Sequence, residues 1–131
     1  MLVKRISLLI VFLFLLVGCL PSSLIPQPPQ TPKEKSDFFM NYYLAQKADY
    51  ETRLAMATEM KDGKLEWLSS TTEIEKDILK AKYMFLDEAE EPITLYDSYA
   101  SQGQLPPTEL EASINALMQR LKDYLSKQQG G

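Results

Sequence analysis

Apolar and polar positions divide the chain into three regimes. From Ile6 to Val17 every residue except Ser7 is apolar, and Lys4 and Arg5 precede the run. Between Leu20 and Thr31 the pattern gives way to Pro21, Pro26, Pro28 and Pro29, with Pro32 at the margin and Ser22, Ser23, Gln27 and Gln30 between them. Prolines fix φ and remove backbone donors, so this stretch is expected to run extended rather than join a helix or sheet. At about 3.1 Å per residue, its twelve residues reach roughly 35–40 Å. From Thr31 onward apolar residues recur every three or four positions, the helical period.

Thr31-Pro32-Lys33-Glu34 predicts a helix start, with a capping threonine, a proline at the first helical position and a glutamate at the capping-box position. Phe39, Tyr43, Gln46, Tyr50, Leu54 and Ala57 then line one face. The helix is expected to continue to Lys61-Asp62, with Gly63 as the residue just past its end. Lys64 to Leu68 is ambiguous, a short apolar cluster of Leu65, Trp67 and Leu68. Ser70 with Glu73, or Thr72 with Glu75, starts a second helix bearing Ile74, Ile78, Ala81, Phe85 and Ala89, widened by Leu79 and Leu86. Pro92 is expected to break it and open a short third helix with Ile93, Tyr96, Tyr99 and Ala100, closed by Gly103. Thr108 and Glu111 offer another capping box, followed by Leu110, Ile114, Leu117, Leu121 and Tyr124 at alternating spacings of four and three. No stretch reads as alternating over strand length. The expectation is an all-α fold, a small bundle of about three to four helices.

The apolar run at the start is too short to span a bilayer comfortably, since a spanning helix needs about 20 apolar residues. Its charged entry and small-residue end read as an export signal. Leu16-Val17-Gly18-Cys19 closes it, and this resembles the lipobox of bacterial lipoproteins. The resemblance implies cleavage before Cys19 and a diacylglyceryl group on its thiol, usually with a further acyl chain on the new amine. Two or more chains hold a protein on a membrane stably where one does not. Leu20 stands where Gram-negative lipoproteins retained at the inner membrane usually carry aspartate, so the resemblance implies transfer to the outer membrane; the periplasmic face is the expectation, with the cell exterior as the open alternative. The expected organisation is a signal peptide at 1–18, a lipidated cysteine and tether at 19–31, and a helical domain at 32–131.

Charge narrows the partners. Lys4 and Arg5 are the only charges in residues 1–18, so 12 of the 14 basic side chains remain against 18 acidic ones after cleavage, a net charge of −6. A negative body repels nucleic acid and anionic lipid, so attachment to a membrane would come from the lipid alone. Histidine is absent and Cys19 is the sole cysteine, which removes Ser-His and Cys-His nucleophile arrangements and any internal disulfide. The acidic run Asp87, Glu88, Glu90 and Glu91 lacks the glycine-bearing loop of a calcium site and reads as a solvated face. Enzymatic chemistry, a small-molecule substrate, and a cofactor other than the lipid on Cys19 are therefore not expected.

Tyrosine and methionine remain. Tyrosine suits a half-buried place with one wet end, and methionine adapts to a partner's shape. Phe39, Met40, Tyr42, Tyr43 and Tyr50, near the tether, are candidates for binding another envelope protein, with packing against the last helix as the competing role. In size, anchor and helicity the chain is similar to the pilotins, small lipoproteins that escort secretin subunits by holding a subunit helix. A binding or assembly module of a secretion or pilus system is the first functional expectation. An exclusion or lysis-type lipoprotein of a mobile element is the second.

Overall fold

The computed structural model describes residues 28–130. Three helices and one hairpin follow one another: α1 (Pro32–Ala57), β1 (Thr58–Lys61), β2 (Lys64–Trp67), α2 (Glu73–Ser101) and α3 (Thr108–Gly130). The bundle is all-helical apart from this two-stranded sheet.

Local chemistry accounts for most of the boundaries. The Glu34 N–H donates to Thr31 Oγ1 at 3.1 Å and Pro32 takes the first helical position, as the sequence predicts. At the second start Thr72 is the cap, its Oγ1 accepting from the Glu75 N–H at 3.1 Å. Gly103, at φ 71°, ends α2 in a Schellman motif: Gln104 N–H reaches Tyr99 O at 2.9 Å and Gly103 N–H reaches Ala100 O at 3.1 Å.

Three expectations need correction. First, α1 stops at Ala57 and the chain turns into a hairpin, with Asp62 at φ 53° and Gly63 at φ 77°. A helix end requires one residue with positive φ, but a two-residue hairpin turn of type I′ requires two, and Asp-Gly supplies both. Thr58-Glu59-Met60-Lys61 and Lys64-Leu65-Glu66-Trp67 do alternate, over four residues each. Second, Pro92 neither breaks α2 nor opens a separate helix; it lies inside 29 continuous residues. The missing N–H leaves only the Glu88 carbonyl without its helical donor, and Glu88 is exposed, where water serves. The buried stripe Leu79, Lys82, Leu86, Ala89, Ile93 and Tyr96 runs unbroken past it, so burial outweighs propensity. Third, Thr108 does not cap α3. Leu110 and Glu111 donate their N–H groups to the Pro107 carbonyl, making Pro107 the cap residue and leaving the Glu111 side chain free for another element.

The central helix is α2, and both others pack on it. Ser36 Oγ donates to Asp97 Oδ1 at 2.9 Å near one end of α1, and Arg53 meets Glu75 near the other, so α1 runs antiparallel to α2. Arg120 pairs with Glu88 at 2.8 Å, and Lys35 of α1 pairs with Glu111 of α3 at 2.7 Å. The result is an up-down-up bundle with α1 and α3 parallel. Its core holds Phe39, Phe85, Leu86, Ala89, Ile93, Tyr96, Ile114, Met118 and Leu121.

Candidate interaction surface

The candidate residues on α1 mostly face inward. Phe39 is 3% exposed, with its ring edge-on to Tyr96 at 5.2 Å. Met40, Tyr42, Tyr43 and Tyr50 are half-buried, packed against the core. Tyr42 meets Phe85 edge-on at 5.5 Å and lies under the Lys122 ammonium at 5.2 Å, while Tyr43 lies 6.3 Å from the same Phe85. These residues close the core chiefly against α2, not α3. Burial pushes the Tyr42 hydroxyl above the usual tyrosine pKa, and burial with the nearby Glu90 does the same to Tyr43. Of the five, Tyr50 lines an open groove. Cys19 and the tether up to residue 27 lie outside the described residues.

A polar layer sets the register of α1 on α2. Lys82 is 4% exposed; its ammonium donates to Gln46 Oε1 at 2.5 Å and pairs with Asp49 at 2.9 Å. Asp49 also receives Arg53 Nε at 2.7 Å, and Arg53 reaches Glu75 at 3.1 Å. Burial pushes the Asp49 carboxyl up, but hydrogen bonds and charge from Lys82 and Arg53 outweigh it and hold it below its usual value. Every buried side-chain polar atom among the described residues has a hydrogen-bond partner, so this layer is fully satisfied. No group of three His, Cys, Asp or Glu among the described residues is placed to hold a metal ion, and no described helix is long and apolar enough to cross a membrane.

Exposed apolar residues are spread over the bundle, Phe38, Leu95 and Leu105 among them, and one group of them gathers at the hairpin end. Beside the hairpin, Tyr50, Leu54, Trp67, Leu79 and Tyr83 line a groove of about 420 Å³ between α1 and α2, with Lys76, Asp77 and Lys80 as its polar members. Lys76 sits 5.8 Å from the centroid of Trp67. No known protein family, curated protein or solved structure matches the chain. The surface must therefore be read from its own chemistry. Trp67 is 44% exposed, Leu65 56%, Met60 67% and Tyr83 56%. Met60 faces Leu65 and Thr58 faces Trp67 across the hairpin, so the apolar face of β1–β2 adjoins the groove through Trp67. Contiguous apolar surface of this kind marks contact with another molecule more often than scattered single residues do. In the sequence the signal for this site is Asp62-Gly63 flanked by short alternation, which is weaker than the helical period on either side of it.

Proposed function

We propose that the protein is a lipid-anchored envelope protein whose helical body binds another envelope protein, as an accessory of pilotin-like build. The observation that carries this reading is Leu16-Val17-Gly18-Cys19 at the close of a short apolar run behind Lys4 and Arg5. Cys19 carries the lipid, and the proline-rich stretch after it spaces the body from the bilayer. The binding surface is the groove of Tyr50, Leu54, Trp67 and Tyr83, and its occupant is an amphipathic helix. Such a helix offers apolar residues at three- and four-residue spacing to a groove lined by aromatic and aliphatic side chains, with Lys76, Asp77 and Lys80 as polar contacts for its flanks.

Two measurements test the two halves of the proposal. Cys19→Ser should abolish uptake of labelled fatty acid; labelling that persists would reject the anchor. Trp67→Ala and Tyr83→Ala should abolish a stoichiometric complex recovered from detergent-solubilised membranes while leaving the melting temperature nearly unchanged. Aromatic anchors of this kind commonly contribute about 2 kcal/mol or more to binding. Absence of a stoichiometric partner, together with damage to the envelope on expression, would favour the exclusion or lysis reading instead.

A further inference from the structure

The hairpin has a charge pattern that fits itself poorly. On its charged face Glu59 lies opposite Glu66 and Lys61 opposite Lys64. Like charges directly opposite destabilise an antiparallel pair. All four residues of β2 are exposed, so the outer edge of this strand is open.

The backbone fixes how a strand could add there. The Leu68 N–H donates to the Ala57 carbonyl at 2.8 Å, so this pair continues the ladder as a hydrogen-bonded one. Such pairs alternate with non-bonded ones, so Glu59–Glu66 and Lys61–Lys64 bond inward, and the N–H and C=O groups of Leu65 and Trp67 point out of the β2 edge. A second copy of β2 added antiparallel about a two-fold axis must set apolar residues beside apolar ones, because a one-residue slip moves every side chain to the other face. Among registers that pair at least three residues of β2, two do so. With Glu66 on the axis, it would face Glu66 of the second copy. With Leu65 on the axis, Lys64 faces Glu66 of the second copy and Glu66 faces its Lys64. Leu65 then meets its twin, and Trp67 stands across from Gly63 of the second copy, around which there is open space.

We propose that the β2 edge is a self-association site, through which two copies join antiparallel with Leu65 on the two-fold axis to form a four-stranded sheet. The like-charged pairs within each hairpin gain oppositely charged neighbours across the new junction, and the two apolar faces merge on one side. The β1 edge is the weaker competitor. A Met60-centred register would also match Glu59 with Lys61, but Thr58 is half-buried at the end of α1, its hydroxyl bonded to the Leu54 carbonyl at 2.6 Å. This association does not rest on the lipid anchor or on the groove's occupant.

The test uses the full-length chain with Cys19→Ser, in mild detergent, so that introduced cysteines are the only thiols. A hydrogen-bonded antiparallel pair sets its Cα atoms about 5.5 Å apart, within disulfide range. Leu65→Cys should therefore form an oxidised dimer at least tenfold faster than Met60→Cys. Adding Lys64→Glu should slow the Leu65→Cys reaction at least tenfold, and Lys64→Glu with Glu66→Lys should restore it. Equal rates at the two positions, faster linkage at Met60→Cys, or charge reversals without effect would overturn the proposal. So would a folded chain, checked by its far-UV spectrum, that does not cross-link, and the edge would then be left for a strand of a different protein.

Discussion

Lys82 sits between α1 and α2 with its ammonium held by Gln46 and Asp49, so its burial is tolerable only while both partners are in place. Asp49→Asn keeps the shape and removes the charge. The side chain of Asp49 is 44% exposed, and water screens part of the interaction, so the expected loss at neutral pH is about 1 kcal/mol. In a body of this size that lowers Tm by roughly 4–8 °C. The pH dependence follows from the depressed carboxyl. Its contribution is fully present above the ordinary aspartate pKa and disappears as pH falls through the lower folded value. Thermal melts of parent and Asp49→Asn should therefore differ at pH 7 and converge in acid; a gap that did not narrow as pH fell below the ordinary aspartate pKa would point to a role independent of the charge.

Among the elements, α3 shows how far a sequence stripe can be trusted. Its apolar residues form the expected face, yet the buried line is Ile114, Met118 and Leu121, with Leu110, Leu117 and Leu125 half-buried beside it. Ile114→Ala should cost about 2–5 kcal/mol in urea unfolding, and Leu117→Ala distinctly less. Reversal of that order would mean α3 is rotated on α2. The helical starts at Thr31 and Thr72 and the stop at Gly103 were legible because each is set by a few neighbouring residues. The continuity of α2 through Pro92 is not legible in the same way, because it depends on burial over many residues on either side, which no local signal contains. The two roles open to the candidates on α1 are equally hard to separate from sequence. A tyrosine or methionine stripe looks the same whether it meets a partner or Phe85, and only the placement of α2 decides between them.

At the scale of the molecule, the hairpin and the bundle are nearly separable. Every residue from Glu59 to Trp67 is exposed, whereas the core is made by the three helices alone. Replacing Glu59–Glu66 with a short Gly-Ser link should leave the helical far-UV signal intact and shift Tm by less than about 5 °C. A collapse of the melting transition would mean that the hairpin holds α1 against α2. A body beginning at Gln30 should likewise stay folded, because its capping residue Thr31 and its core are retained.

The position of α2 between its neighbours also orders events in time. α1 docks on the helix that follows it, and α3 docks on the helix that precedes it, so closure of the bundle rests mainly on pairing of neighbouring helices, with Lys35 of α1 reaching Glu111 of α3 and Lys122 of α3 lying over Tyr42 of α1. Topologies built from such neighbouring contacts fold on the order of microseconds to milliseconds. A chain delivered N-terminus first can close α1 onto α2 before α3 has arrived. The apolar side of α2 that awaits α3 is then the surface most exposed to wrong contacts during that interval.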